Sequence, residues 1–337
     1  MDGRERTIRF LEGDKVDRYP IHPLVMQYAC RLSGITYEEY CLDYRKQSEA
    51  MVYFAENYGM DSVHAAGFAW CEAMDYGLSV VYQGDSCPYP DGYLIENVET
   101  DLEKIRRMDI EKCPSMMNRV EGIRHYRKLT GNRYFLEGHC EGPLAEYADL
   151  RSLERTFLDL FDYPDKVKKA MEILVENAKD WITLQIQAGA DVISIGDAAC
   201  SQIGRELYRE FVLPFHRELI SYIRNEGAYA KLHICGDITP ILEDVIFTGV
   251  NIIDVDSMVD LGKYVDWLGK KQVFCGNLDP AGLFAGGNPS KMKKAVEELI
   301  QSVGQKCILA GGCEIPPDTK EENYRAFVEA VWEYSDT

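Results

Sequence analysis

The residues best placed to do chemistry lie in Lys231-Leu232-His233-Ile234-Cys235-Gly236-Asp237, a short apolar run closed by a glycine and an aspartate. On a β-strand, residues i and i+2 point to the same side, so His233 and Cys235 face together at the strand's C-terminal end. An imidazole and a thiolate side by side offer two zinc ligands from one strand. Cys313, in Gly311-Gly312-Cys313-Glu314-Ile315-Pro316-Pro317, offers a third, next to glycines that permit close backbone approach. A His/Cys/Cys set leaves one zinc position open, as catalytic sites do and closed structural sites do not. Spacing by itself also admits a plainer arrangement, with His233 a hydrogen-bonded core histidine and both cysteines core filler.

Other candidates stand at the ends of similar runs. His139 and Glu141 are placed to orient a substrate or relay a proton, and equally to sit satisfied in a loop or in the core. Asp256 is a further catalytic candidate. Asp197 and Asn277 are candidate substrate-binding residues. Phe68, Trp70, Tyr89 and Tyr93 suit an aromatic pocket, Phe68 and Trp70 first, or plain packing. Cys275 is a weaker competitor for the metal. His22 and Glu72 complete the set of polar residues at expected strand ends.

Positioning such residues requires a repeated scaffold. Short β-branched runs recur at Tyr19 to Leu24, Asp61 to Gly67, Arg133 to His139, Asp191 to Asp197, Tyr229 to Cys235, Asn251 to Asp256, Gln272 to Asn277 and Cys307 to Gly311. Helical patterns follow at Thr36 to Tyr58, Pro164 to Ala188, Gly204 to Asn225, Ser290 to Val303 and Glu321 to Tyr334. Ser290 and Thr319 read as N-caps, Thr319 in a capping box with Glu322. Strands alternating with helices in this way predict an α/β fold, a (β/α)8 TIM barrel, with a doubly wound sheet as competitor. Val80 to Leu129 reads as an insertion in the N-terminal half. Nothing marks a boundary, so residues 1–337 are expected to form a single domain. In a barrel, chemistry sits at the C-terminal ends of the strands, where His22, Trp70, Glu72, His139, Glu141, Asp197, His233, Cys235, Asp256, Asn277 and Cys313 fall.

Composition narrows the partners. With 37 Lys+Arg against 56 Asp+Glu, the formal charge of −19 repels phosphate backbones and anionic bilayers. No nucleic-acid or membrane partner is expected. No run approaches the roughly 18 apolar residues of a spanning helix, and Met1 to Lys15 is charged rather than signal-like, so the chain reads as cytoplasmic. Eleven cysteines, an odd count, read as reduced thiols and metal ligands rather than a disulfide framework. Cys30, Cys41, Cys71 and Cys113 are expected in the core.

Several of these segments together resemble the uroporphyrinogen decarboxylase superfamily: His233 to Asp237, the strand end Asp254-Val255-Asp256, Gly276-Asn277-Leu278-Asp279-Pro280, and Gly312 to Thr319. Within it they look like the corrinoid-linked branch, which includes methylcobamide:coenzyme M methyltransferases and O-demethylase methyltransferases. Gln187 to Asp191, Gly196-Asp197 and Phe211-Val212-Leu213-Pro214 also fit, so the resemblance runs along nearly the whole chain. It implies a (β/α)8 barrel, Zn2+ held by His233, Cys235 and Cys313, and a carboxylate at Asp256 that fills zinc's fourth site until displaced. It further implies methyl transfer between a small methoxylated compound or thiol and the cobalt of a corrinoid on a separate protein. Zinc there would activate a thiolate or polarise an ether oxygen. Asp61 to Gly67 is faintly similar to a corrinoid-binding Asp-x-His-x-x-Gly box, but its His64 comes one residue late. Tetrapyrrole decarboxylation is the alternative. Decarboxylases of the superfamily carry an Arg-Gln-Ala-Gly-Arg segment after the first strand and an Asp after the second. Here His22 to Arg31 holds one arginine and Ser62 to Met74 no aspartate.

Overall fold

The computed structural model describes residues 1–335. Nine strands form: β1 (Ser62–His64), β2 (Val80–Gln83), β3 (Ser86–Pro90), β4 (Phe135–Glu141), β5 (Val192–Gly196), β6 (Tyr229–Ile234), β7 (Ile252–Val255), β8 (Val273–Leu278) and β9 (Cys307–Gly311). Seven of them make one curled parallel sheet in the order β1-β4-β5-β6-β7-β8-β9, while β2 and β3 pair as a separate antiparallel hairpin. The order follows the chain without reversing, so there is no switch point and the doubly wound alternative is excluded.

The run expected as the first strand, Tyr19 to Leu24, makes only a single bridge, Ile21 to Leu309 of β9. Pro20 and Pro23 remove the donors a ladder needs. Ile21 nevertheless lies between the two edges of the sheet, since its carbonyl accepts from Asp61 N, 3.0 Å away and just before β1. Asp61 locks the junction: its buried carboxylate takes Ile21 N at 2.9 Å and the guanidinium groups of Arg6 and Arg18 at 2.5 Å each. The Asp61 carboxylate is thus committed to this junction, and the Ser62–His64 part of the Asp61 to Gly67 stretch is strand β1.

The two faces of each strand are sorted by period two. Leu136, Ile193, Ile195, Leu232, Ile234, Ile253, Val255, Phe274 and Leu309 face outward into the large core shared with the helices. Phe135, Val192, Ile252, Val273, Cys275 and Ile308 face inward and form a smaller apolar cluster, closed by Phe10 and Leu11 of helix Gly3–Glu12. Next along the inward positions come Glu137, Lys231 and Asp254, and then His139 and His233. The interior is thus apolar at its floor and ionic above it.

Several helix expectations are corrected. Thr36 to Tyr58 is two helices, Tyr37–Leu42 and Tyr44–Tyr58, because Asp43 is extended and caps Arg45 N with its carboxylate. Gly204 to Asn225 is interrupted by a π-helical turn over Tyr208–Val212, ahead of Pro214, which has no N–H to give. The cap expected at Ser290 belongs to Asn288, whose side chain accepts from Lys291 N at 3.0 Å ahead of Pro289. Thr319 makes no capping box: its hydroxyl is buried without a hydrogen-bond partner. Val80 to Leu129 is not one insertion, since helix Pro114–Thr130 packs between helices Tyr44–Tyr58 and Pro164–Ala188 in the outer layer. Among the described residues, no helix is long and apolar enough to cross a membrane.

Candidate metal centre and adjoining cavity

β6 delivers His233, and Cys235 follows it in the first turn beyond the strand, where Gly236 takes φ +84° and redirects the chain. β9 delivers Cys313 after two glycines. At Gly312 a Cβ would lie 2.4 Å from Ser257 N, so only glycine lets this segment run against the loop after β7. The outcome is a tight donor set. His233 Nε2 is 3.0 Å from Cys235 Sγ, and the two Sγ atoms of Cys235 and Cys313 are 3.2 Å apart. The ligand atoms of His233, Cys235 and Cys313 all lie within 4.8 Å of one another, and each residue is half-buried. Around tetrahedral zinc such atoms stand roughly 3.5–3.8 Å apart, from bond lengths of about 2.0–2.3 Å, so the residues fit the ion with a small outward shift. Cys235 and His233 hold the Cys313 thiol down at about 5 against the opposing effect of burial, while Cys313 and burial push Cys235 up against the pull of His233. One sulfur is therefore readily a thiolate, the form a metal needs.

Behind His233 runs a chain of buried charges. Asp254 Oδ2 is 3.4 Å from His233 Nδ1 and 2.8 Å from Lys231 Nζ, which also reaches Glu137 Oε2 at 3.1 Å. Burial opposes the lysine's charge, but Asp254 and Glu137 hold its pKa well above the ordinary value. Burial likewise opposes the Asp254 charge, yet Lys231 and His233 bring that carboxyl down to about 2. A carboxylate at Nδ1 leaves Nε2 to turn toward the sulfurs. Glu137, Lys231 and Asp254 went unassigned in the sequence, although the alternations Glu137/His139/Glu141 and Lys231/His233/Cys235 put them on the inward face.

A cavity of about 210 Å³ adjoins the donor set, lined by His233, His139, Glu141, Asp197 and Phe68 among others. Burial lowers His139 to about 4, so its ring is neutral, and burial with the charge of Asp197 raises Glu141 to about 8. His139 Nε2 and Glu141 Oε1 are 3.3 Å apart, and Glu141 N donates to both oxygens of buried Glu72 at 3.0 and 3.1 Å. Asp197 accepts from Ala145 N at 2.9 Å and from Leu144 N, at the start of helix Pro143–Arg151, and meets His216 Nε2 at 3.0 Å. His216 Nδ1 in turn meets Tyr208 OH at 3.0 Å. Asp197, Cys200 and His216 form a second close group, fully buried, but its carboxylate and imidazole are already occupied by these contacts.

The remaining candidates lie outside the cavity lining. Trp70 packs against the core ahead of helix Cys71–Tyr76. Asn277 donates to Asp256 O at 3.0 Å and Val259 O at 2.7 Å, holding the loop after β7. Asp256 is not in the three-ligand group; its carboxylate takes Gly236 N at 3.0 Å, Ser257 Oγ at 3.1 Å and Met258 N at 3.2 Å, tying the turn after Cys235 to that loop. Cys275 is sealed in the apolar floor, away from the ligands. Tyr89 and Tyr93 are exposed on and beyond the hairpin. His22 is buried beside Phe135 with its Nε2 2.8 Å from Thr7 Oγ1, because its segment joins the sheet only at Ile21.

The comparisons agree with this architecture. The methylcobamide:CoM methyltransferase of Methanosarcina mazei is 26% identical over 343 residues, covering 98% of each chain. A uroporphyrinogen decarboxylase of Prochlorococcus marinus is also 26% identical, over 68% of this chain and 66% of its own. A solved methyltransferase structure from Methanosarcina mazei superposes with a TM-score of 0.87 at 22% identity, covering 99% of each chain. The profile of the uroporphyrinogen decarboxylase (URO-D) family matches residues 2–334, and the chain belongs to that family.

Proposed function

We propose that the protein is a zinc-dependent methyltransferase that moves a methyl group between a small methoxylated compound or thiol and the cobalt of a separate corrinoid protein. The observation that carries this reading is the His233, Cys235 and Cys313 donor set, three ligands without a fourth among the described residues, at the end of the sheet where strand ends and loops meet. Full-length similarity to methylcobamide:CoM methyltransferases supports it over decarboxylation, for which the matched relatives overlap about two thirds of the chain. In the same reading Ile21 takes the eighth position of a closed (β/α)8 barrel.

His233, Cys235 and Cys313 would hold the zinc, which supplies Lewis acidity to activate a thiol or polarise an ether oxygen. Asp254 fixes the His233 ring from behind. Glu141, raised to about 8 in the adjoining cavity, can give a proton to a leaving oxygen or take one from a thiol near neutral pH, with His139 beside it. Phe68 and its apolar neighbours exclude water from the reacting methyl group. The corrinoid protein docks over this mouth, since cobalt must come within bonding distance of the methyl carbon. Asp256 accepts from Gly236 N and so holds the turn after Cys235 in place; in this reading it is also the carboxylate that fills zinc's fourth site until substrate displaces it.

Metal analysis of the purified protein tests this reading. About one zinc per chain is expected, lost in the Cys235→Ala/Cys313→Ala double variant together with methyl transfer followed by the Co(I)/methyl-Co(III) absorbance change. Asp256→Ala should keep zinc but change transfer kinetics. Full zinc retention in the double variant would refute the proposal.

A further inference from the structure

The cavity beside the donor set is acidic on its inner wall. Glu137, Asp197 and Asp254 line it as carboxylates, with Glu141 beside them in its neutral acid form, and its one lysine, Lys231, has its ammonium held between Asp254 at 2.8 Å and Glu137 at 3.1 Å. Two carboxylates around one ammonium leave this trio with a net negative charge and no cation free to meet a ligand. Asp197 adds another carboxylate. Among the described residues no arginine lines the cavity. A zinc ion bound by two thiolates and an imidazole is neutral overall, so metal loading leaves the sign unchanged. The rest of the wall is apolar, with Leu24, Met26 and Phe68.

One cation comes near without entering. Arg119 is buried and donates to Cys41 O at 2.5 Å, while its Nε and Nη1 find no partner. Its guanidinium lies behind Gly67, where a Cβ would come within 2.6 Å of it. Gly67 lines the cavity and Arg119 does not.

Resting on the methyltransferase reading above, we infer that the small methyl-bearing substrate carries no negative charge: the cavity accepts an uncharged or cationic thiol or methoxy compound and rejects an anionic one. An anion placed in this low-dielectric space meets the surplus negative charge of the Glu137, Lys231 and Asp254 trio at short range, and at an effective dielectric of about 20 that repulsion lowers affinity on the order of tenfold or more. A cation gains from the same field.

Three thiols of equal length, differing only in the tail, separate the cases: 2-mercaptoethanesulfonate (CoM), 2-mercaptoethanol and 2-aminoethanethiol. Each is titrated into the Co(II)-substituted protein, and coordination is read from the thiolate-to-cobalt absorption band, with affinities corrected for the thiolate fraction of each thiol. The sulfonate should bind about tenfold or more weakly than 2-mercaptoethanol, and the ammonium thiol at least as tightly. Glu137→Gln, which leaves Lys231 and Asp254 as a neutral pair, should narrow the gap while leaving the cobalt spectrum of the resting protein in place. Equal or tighter sulfonate binding would overturn the inference, and its loss in Arg119→Gln would assign the anion to Arg119 instead. A cobalt spectrum indifferent to all three thiols would overturn the thiol form of the methyltransferase reading, and the inference for thiols with it.

Discussion

Lys231→Met removes the ammonium at the centre of the buried ionic layer and keeps the side-chain length. Lys231, Glu137 and Asp254 are 5%, 6% and 7% exposed, so the two carboxylates left behind cannot recover their hydration. Removing one partner from such a buried set costs about 3–5 kcal/mol, a large share of the roughly 5–15 kcal/mol that holds a domain folded. At about 2 °C per kcal/mol for a chain of this size, the melting temperature should drop by about 6–10 °C. The loss should also depend on pH. In the wild type Asp254 sits at about 2, so its contribution is fully present above the unfolded value of 3.8 and is lost only as pH falls toward 2. In the variant Asp254 loses the lysine that held it down against burial, and the fold gains a proton there between pH 7.5 and 5 that the unfolded chain does not bind. Stability of the variant should therefore recover as pH falls through that window, by up to about 1.4 kcal/mol per unit. Urea unfolding of both proteins with zinc present, at pH 7.5 and pH 5, measures this. A difference under 1 kcal/mol at pH 7.5, or one that widens toward pH 5, would refute the ionic-layer argument.

Asp254→Asn should weaken zinc binding by about 10–100-fold in a chelator competition, because it removes the carboxylate facing His233 Nδ1; unchanged affinity would place Asp254 in the fold alone. His64 is buried, both its ring nitrogens lack partners, and burial brings its pKa from 6.5 to about 3. Below about pH 6.5 the unfolded chain binds a proton there that the fold refuses, so stability falls with falling pH. The difference amounts to about 2 kcal/mol between pH 7.5 and 5. His64→Leu should lose that much less stability over the same interval, as measured by denaturant titration, and identical acid profiles would count against it.

How far the sequence alone reached is clearest at β6. A strand's period of two is a property of the backbone, so His233 and Cys235 could be paired from spacing before any fold was in hand, and the glycines before Cys313 announced a close approach. The alternation of strands and helices was legible for the same reason, because each element repeats its own geometry along the chain. What closed at Ile21, what broke at Asp43 and what capped at Asn288 turned on prolines and short polar side chains whose competition with the pattern is local but unranked in a linear reading. The tertiary structure alone decided which inward residues share a level. Lys231 meets Glu137, 94 residues earlier, only because β4, β5 and β6 lie side by side in a particular register. The same packing put Cys275 in the apolar floor, turned Asn277 and Asp256 to the loops, and gathered Glu141, Asp197 and Glu137 around one cavity. Charges buried face to face are set by strand register and layer, and neither is encoded within a single run of sequence.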